Sequence, residues 1–373
     1  MENNHLTYFK IENFKKFESL EVNDIGQFNL IVGDNNVGKT CLLEALLFDL
    51  RPKNTISWYH ELLVKRRLVS GLFLLLNETN DEKNFESNTF AQYQRDIKKE
   101  IKFTINGDVY SLENKNEEIS KTTNQEILRF IKEEGLFDYD GINKKSKNWI
   151  VFKINSKTRF LLDLTSSYYE DFINRPQNSK IPNIPALMLN DDIESYLGKH
   201  YDKIFIELDL GEKVARLVTV LFSNIEITEF QKQNEVSALF FYSLKIKTKE
   251  RNQFHNIREY GDGFVRCLSM IIQLLSGNSS KIIIDEIDTG IHHTKLDIVW
   301  KTVLLICKEF DIQLFATTHS QECIESYLQA SKELNEKDIR LIRLQENKDK
   351  SIKAICYKEE YIEYMVESNT EER

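Results

Sequence analysis

The chain has 373 residues, of which 41% are hydrophobic and 29% are charged, and its net charge is −9 at pH 7. This composition is typical of a globular protein with two domains or one elaborated domain, and it argues against a generally basic nucleic-acid-binding protein. The longest apolar run, Leu72–Leu76, is far shorter than the ~18 residues of a membrane span.

The first residues lack the basic region followed by an apolar region that is typical of a signal peptide. We therefore expect a cytoplasmic protein with no membrane partner. The cysteines are scattered, without the C-x-x-C spacing or histidine neighbours of a metal site. Free thiols are therefore favoured over disulfides or bound metal. These cysteines are Cys41, Cys267, Cys307, Cys323 and Cys356.

Short strands are predicted at the start of the chain. Leu6–Ile11 and Ser19–Val22 lie on either side of the turn-prone residues Asn13–Phe17. They lead to an apolar strand, Phe28–Val32, whose continuous hydrophobic run is typical of a strand that is covered on both faces.

A glycine-bounded loop follows this strand and precedes a helix rich in leucine and alanine. Its sequence, GDNNVGKT, fits the phosphate-loop pattern G-x-x-x-x-G-K-[ST]. The glycines let backbone N–H groups point at phosphate oxygens, and the helix N-terminus adds partial positive charge. We expect Lys39 to reach the β- and γ-phosphates and the Thr40 hydroxyl to bind Mg²⁺. The predicted nucleotide contacts are Gly33, Asn35, Asn36, Val37, Gly38, Lys39, Thr40 and Cys41.

The middle of the chain, residues 77–257, is more polar and has a mixed pattern. Strand-like alternation occurs at Ile101–Ile105, Val109–Leu112, Trp149–Leu164 and Val236–Ile246. Helices are predicted, here and after the phosphate loop, at Cys41–Leu50, Trp58–Leu76, Gln125–Glu133, Asp191–Tyr201 and Lys213–Phe222.

Two basic clusters and one acidic pair have alternative interpretations. Lys65–Arg67 and Lys144–Lys147 are typical of solvated surface, with phosphate or DNA binding as the alternative. Asp138 and Asp140 have the D-x-D spacing of two-metal nucleases, but their position beside Gly141 favours a solvated turn.

A second acidic element has the position that a nucleotide site requires. Lys281–Asp288, KIIIDEID, is predicted as a buried strand with carboxylates at its C-terminal end, where α/β sheets bind ligands. Asp285 is expected to hold Mg²⁺ through its water shell. Glu286 is expected to accept the proton of the water that attacks the γ-phosphate.

Further candidates flank this strand. Gly261, Asp262 and Gly263 precede a predicted helix, Cys267–Leu275, and form a second anion-accepting helix start. This second site is expected to complete the pocket of a neighbouring subunit. His319 follows the predicted strand Ile312–Ala316 and is expected to reach the γ-phosphate or position the attacking water.

With these residues, the chain resembles ABC-type ATPases of the RecF/SMC and OLD-like groups. It is most like the small AAA-type ATP-binding proteins of bacterial anti-phage defence systems. The segments that carry the resemblance are KIENFKKF, IVGDNNVGKT, EYGDGFVR, IIIDEIDTGIHH and FATTHS, in the family's order.

The resemblance implies an α/β fold: an ABC-type P-loop head with a mostly parallel sheet flanked by helices, N-terminal antiparallel strands and an inserted mixed subdomain. Its expected parts are 1–76, 77–257 and 258–373. It also implies ATP and Mg²⁺ as cofactors and a head-to-tail homodimer or larger homo-oligomer. In that dimer, Asp288 communicates across the interface and His319 is the switch histidine.

The sequence departs from the family pattern at several points. Glu259 and Tyr260 stand where many signatures carry a serine, which predicts a weaker contact to the γ-phosphate of the other subunit. The glutamine of the Q-loop is not identified, with Gln92 and Gln94 as candidates. After His319, a helix at Gln321–Leu334 and a hairpin are predicted, without the TOPRIM domain of OLD nucleases. The hairpin strands are Ile339–Leu344 and Ile352–Tyr357.

The leading functional hypothesis is an ATPase switch in antiviral defence. ATP closes a dimer, hydrolysis opens it, and a separate effector, a nuclease or toxin, responds. The alternative is a RecF-like repair ATPase that binds DNA through a basic groove.

Overall fold

The computed structural model describes residues 5–48, 99–115, 125, 149–163, 186–188, 201–234, 242–276 and 280–368. Within these ranges the strands are β1 (Phe9–Phe14), β2 (Phe17–Val22), β3 (Phe28–Gly33), β4 (Ile101–Ile105), β5 (Asp108–Lys115), β6 (Trp149–Ile154), β7 (Lys157–Asp163), β8 (Ala186–Met188), β9 (Ile227–Asn234), β10 (Tyr242–Thr248), β11 (His255–Asn256), β12 (Lys281–Ile284), β13 (Gln313–Thr317), β14 (Ile339–Glu346) and β15 (Ile352–Lys358).

The α-helices in the same ranges are α1 (Lys39–Leu46), α2 (Gly211–Leu221), α3 (Asp262–Leu275), α4 (Leu296–Glu309), α5 (Gln321–Glu333) and α6 (Glu359–Glu367). A π-helix covers Asp202–Glu207, and 3₁₀ helices cover Ile257–Tyr260 and His293–Lys295. None of the described helices is long and apolar enough to span a membrane.

The central sheet has the strand order β15-β14-β3-β13-β12-β8. Its strands pair in parallel from β14 to β8, and β15 closes one edge as the antiparallel arm of a hairpin with β14. Because parallel strands share one direction, the C-terminal ends of β3, β12 and β13 lie at the same edge of the sheet.

Two separate cores cover the two faces of this sheet. Successive side chains of a strand point to opposite faces, so Leu30 of β3 packs in one core and Ile31 in the other. Ile283 and Phe315 share the core of Ile31, whereas their immediate strand neighbours lie in the core of Leu30. This double burial explains the continuous apolar runs in the sequence.

A second sheet, entirely antiparallel, has the order β2-β1-β4-β5-β6-β7. Strand β4 pairs with β1, with Phe9 opposite Ile105, so the strands of residues 101–163 extend the N-terminal pair. The rings of Phe48 and Phe103 stack with centroids 4.0 Å apart and pack this sheet against the end of α1. The division into 1–76, 77–257 and 258–373 stays a prediction.

The third sheet, β11-β10-β9, lies with α2 and α3 in the core on the opposite face of the central sheet. The predicted helix Lys213–Phe222 corresponds to α2, and the predicted strand at Val236–Ile246 continues through Thr248 in β10. Residues 235–241 lie outside the described ranges. Strand β9 and helix α6 were not predicted. Helix α6 is largely polar and buries only Ile362 and Met365.

The first predicted strand, Leu6–Ile11, is displaced. The structure has β1 at Phe9–Phe14, because these residues pair with β2 on one side and β4 on the other. The predicted turn at Asn13–Phe17 is correspondingly shorter, with only Lys15 and Lys16 assigned to it.

Three further boundaries in the nucleotide-site elements were wrong. The strand predicted at Lys281–Asp288 ends at Ile284. The helix predicted at Cys267–Leu275 begins at Asp262, where the Val265 N–H donates to Gly261 O and closes the first turn. The helix predicted at Cys41–Leu50 is α1, which begins at Lys39 and ends at Leu46.

Several predictions fall on residues that the structure does not describe. They are the helix at Trp58–Leu76, the basic clusters Lys65–Arg67 and Lys144–Lys147, the pair Asp138 and Asp140, the candidates Gln92 and Gln94, and most of the helices at Gln125–Glu133 and Asp191–Tyr201.

A buried lysine connects β12 to α1. Lys281 Nζ donates to Leu46 O at 2.9 Å and to Phe48 O at 3.0 Å, at the C-terminal end of α1. Lys281→Met removes this charged donor from helix-end carbonyls, so we expect the free energy of unfolding to fall by about 1–3 kcal/mol in urea titrations. Lys353→Met, at an exposed position of β15, is the control and should change stability by less than about 0.5 kcal/mol. Equal losses in both variants would contradict the capping role.

Candidate nucleotide site

The phosphate loop connects β3 to α1 and requires glycine at both of its ends. The backbone φ is 144° at Gly33 and 114° at Gly38, a region that side chains disfavour. A Cβ at Gly33 would lie 2.4 Å from Leu344 O, and one at Gly38 would lie 3.0 Å from the ring of Phe17. Crowding and dihedral angle therefore both select glycine, and the loop is held between β14 and β2.

Within the loop, Asn35 and Asn36 are exposed while Val37 is buried. Asn36 has a φ of 63°, which asparagine tolerates better than most residues. The Lys16 ammonium, from the turn between β1 and β2, donates to Asn36 O. Cys41 is half-buried in the first turn of α1.

Lys39 is buried at the start of α1, and its side chain folds back over the loop. Its Nζ donates to Gly33 O at 2.7 Å and to Asp34 O at 2.9 Å, and it lies 3.4 Å from His319 Nδ1. Burial lowers the pKa of the Lys39 ammonium, while the carboxylate of Asp285 acts in the opposite direction. The lysine and histidine predicted from separate motifs thus lie side by side.

The Asp285 carboxylate, just after β12, accepts hydrogen bonds on both oxygens. Thr40 Oγ1 donates to Oδ2 at 3.0 Å, and Thr317 Oγ1 donates to Oδ1 at 2.6 Å. The structure therefore brings together Thr40 and Asp285, the two predicted Mg²⁺ ligands. A hydroxyl and a carboxylate are hard oxygen donors of the kind that Mg²⁺ prefers, so the residues present fit this ion. Thr317 was not identified from the sequence.

Glu286 has a left-handed backbone, with φ of 48°, and its side chain is exposed. Its N–H donates to Thr317 Oγ1 at 2.7 Å, and its carboxylate accepts from Thr289 Oγ1 at 3.0 Å. Such a conformation costs on the order of 1–3 kcal/mol and persists only where neighbours enforce it. Arg266 Nη2 enforces it by donating to Asp285 O at 2.9 Å and Glu286 O at 2.6 Å.

Arg266, in the signature segment EYGDGFVR, was not identified from the sequence as a site residue. It lies on α3 one helical turn after Gly263, a spacing that places both residues on one face of the helix. The contact of Arg266 with the acidic strand end is visible only in the tertiary structure.

The signature residues form a separate cluster at the start of α3. Gly261 and Asp262 are exposed, and a Cβ at Gly263 would lie 2.6 Å from Gly290 O. Asp288, in the same turn as Gly290, accepts from Thr318 Oγ1 at 2.9 Å. Among the described residues, no hydrogen bond joins the 261–263 segment to the 33–41 loop.

A family model described as "AAA domain, putative AbiEii toxin, Type IV TA system" matches residues 28–325. The chain belongs to this AAA family. The matched region runs from β3 into α5 and so contains every predicted site residue.

This AAA family member is also similar in sequence to two individual proteins. The chain is 23% identical over 339 residues to an ATP/GTP phosphatase of Helicobacter pylori, covering 85% of each protein. It is 27% identical over 226 residues to an uncharacterized protein of Methanocaldococcus jannaschii, covering 55% of this chain and 64% of that protein.

A solved structure identifies the fold. The crystal structure of an SMC head bound to the C-terminal winged-helix domain of ScpA matches 96% of this chain and 99% of its own, with a TM-score of 0.50 at 10% identity. The fold is that of an ABC-type P-loop ATPase head, as the sequence predicted.

Thr317 offers a test of the hydrogen bonds that hold Asp285. Thr317→Val keeps the side-chain shape but removes the donor to Asp285 and the acceptor of the Glu286 N–H. We expect the free energy of unfolding to fall by about 1–3 kcal/mol, because polar groups of two residues lose partners.

The control is Thr302→Val on α4, which is also buried and bonds only a carbonyl of its own helix, Ile298 O. It should lose less than about 1 kcal/mol. Urea unfolding of both variants measures the difference, and equal stabilities would contradict the structural role of Thr317.

Proposed function

We propose that the chain binds and hydrolyses ATP and acts as a nucleotide-driven dimerisation switch. The observation that carries this proposal is the contact between Thr40 and Asp285 beside the buried Lys39, at the edge of a parallel sheet. The relative named ATP/GTP phosphatase supports nucleotide hydrolysis as the activity.

In this proposal each side chain has one task. The Lys39 ammonium exchanges its bonds with the loop carbonyls for bonds with the β- and γ-phosphates, whose charge stabilises it after desolvation. Thr40 and Asp285 hold Mg²⁺, which would neutralise part of the phosphate charge. Glu286 accepts the proton of the attacking water, and His319 positions that water or the γ-phosphate from its place beside Lys39.

The proposed dimer is head-to-tail, so that Gly261, Asp262 and Gly263 of one subunit meet ATP held by the other. Two features support it: the 261–263 segment is not hydrogen-bonded to its own phosphate loop, and a helix N-terminus accepts anions. Asp288, held by Thr318 beside the signature cluster, is proposed to sense the neighbouring subunit.

A separate effector, a nuclease or toxin, is proposed to respond to the dimer in antiviral defence. The family description, which names a putative AbiEii toxin and a Type IV TA system, supports an association with toxin systems. The alternative of DNA binding depends on the clusters Lys65–Arg67 and Lys144–Lys147, which lie outside the described residues.

The first test traps the ATP-bound state. Glu286→Gln should bind ATP but hydrolyse it about 10²–10⁴ times more slowly than wild type, because the proton acceptor is lost. Light scattering should then show a rise from monomer to dimer mass on addition of ATP and Mg²⁺. Lys39→Ala, which cannot hold the phosphates, is the control and should stay monomeric. Wild-type turnover by Glu286→Gln, or a mass that ATP leaves unchanged, would contradict the switch.

A mixing experiment tests whether the site is shared between subunits. Gly261→Asp places a carboxylate where the proposed γ-phosphate lies. Nothing lies within 4 Å of its Cβ, but the φ of 90° strains any side chain, so circular dichroism first checks that the variant folds. Lys39→Ala and Gly261→Asp should each be inactive alone. A 1:1 mixture should regain activity, at most about half that of wild type, since each mixed dimer holds one intact site. No recovery from two folded variants would contradict a site built by two subunits.

A further inference from the structure

The signature segment needs a positive charge if it is to meet ATP. Gly261 and Gly263 have no side chain that could contact a phosphate, and the Asp262 carboxylate between them is exposed. A helix N-terminus carries about half of a positive elementary charge, so one full carboxylate charge outweighs it. Glu259, also exposed, adds a second carboxylate two residues before Gly261. A cation from elsewhere in the chain is therefore required to offset these charges before the segment attracts phosphate.

Two cations beside α3 are engaged within their own subunit. Lys295 Nζ donates to Leu221 O at 2.9 Å. Arg266 Nη2 donates to the carbonyls of Asp285 and Glu286 at 2.9 and 2.6 Å. Moving either side chain onto a phosphate held by another molecule would break these bonds.

Arg251 is a cation that approaches the segment from a different loop. This loop follows β10, and the Arg251 N–H donates to Thr248 Oγ1 at 3.2 Å, which fixes the backbone there. The guanidinium lies over the ring of Tyr260, 5.6 Å from the centroid, and Tyr260 directly precedes Gly261. Arginine stacks well on aromatic faces, so the ring orients the guanidinium. The Arg251 side chain is still 54% exposed, so a second subunit can contact it.

A fixed carboxylate holds Arg251 from the side. Glu259 Oε2 lies 3.9 Å from Arg251 Nη1, which makes an ion pair that is longer than a hydrogen bond. His255 Nδ1 donates to the same oxygen at 2.9 Å, and the Asn256 N–H donates to Glu259 Oε1 at 3.2 Å. The hydrogen bond from His255 lowers the pKa of Glu259, so this group is a carboxylate at neutral pH. The ion pair orients the guanidinium, whose N–H donors can still bind phosphate oxygens.

We propose that Arg251 contacts the γ-phosphate of the ATP held by the other subunit. There its guanidinium stabilises the negative charge on the γ-phosphoryl oxygens while the bond to ADP breaks and the bond to the attacking water forms. The proposal rests on the head-to-tail dimer of the proposed function, in which Gly261–Gly263 meet that ATP. Arg251 then supplies the γ-phosphate contact for which many signatures use a serine that this segment lacks.

Single variants test the role of the charge. Arg251→Ala should lower kcat about 10²–10³-fold, because the transition-state charge loses its partner. Arg251→Lys keeps the charge and should be about tenfold more active than Arg251→Ala. ATP binding by monomeric Arg251→Ala should stay within about twofold of wild type, since the Lys39 loop of the same subunit holds that nucleotide. Arg258→Ala, in the same segment, and Arg216→Ala on α2 are matched controls at exposed positions, and both should hydrolyse ATP like wild type.

Two mixtures test whether Arg251 acts on the other subunit. In a 1:1 mixture of Arg251→Ala and Lys39→Ala, each mixed dimer holds one site with an intact Lys39 loop and an intact Arg251 from the other subunit. Activity should therefore return, to at most about half that of wild type. A mixture of Arg251→Ala and Gly261→Asp should stay inactive, since every site then lacks either Arg251 or Gly261. If Arg251 served the ATP of its own subunit, the two mixtures would give the opposite results and the proposal would be overturned.

The remaining outcomes separate this proposal from the switch itself. Wild-type turnover by folded Arg251→Ala would refute the role of Arg251, and so would a loss of activity in Arg258→Ala that Arg251→Ala does not show. Recovery of Lys39→Ala by Gly261→Asp but not by Arg251→Ala would refute it too and leave the shared site standing. If neither variant restores activity to Lys39→Ala, the site is not shared, and the proposed dimerisation switch fails together with the role of Arg251.

Discussion

The carboxylate of Asp285 accepts hydrogen bonds from Thr40 on one oxygen and from Thr317 on the other. These bonds join the end of β12 to the start of α1 and to the end of β13. Arg266 adds a third connection, from α3 to the carbonyl of the same residue. The phosphate loop, the acidic strand end and the signature helix therefore meet at one residue, and the rest of the site takes its position from there.

The central sheet makes this convergence possible. Its parallel strands are buried on both faces, and a slip by one residue would move Ile283 from one core to the other. The register is thus strongly specified, and the strand ends at the ligand edge are placed accurately. Lys281 reinforces the arrangement at the opposite end of β12, where it donates to carbonyls at the end of α1.

A left-handed backbone and a close backbone approach both occur at the functional edge. Glu286 adopts a left-handed backbone supported by Thr317 and Arg266, and Gly263 packs on the carbonyl of Gly290. These contacts hold the acidic turn, residues 285–290, against the start of α3.

The sequence by itself determined the elements with strong local signals. The phosphate loop and the apolar strands were predictable because glycine spacing and continuous hydrophobic runs depend on few residues. The α/β fold class followed from the family resemblance that these motifs carry. The pairing of β4 with β1, the end of β12 at Ile284 and the roles of Thr317 and Arg266 were decided only by the tertiary structure. These features depend on contacts between residues far apart in the chain, where Thr317 and Asp285 approach within 2.6 Å although no local pattern connects them.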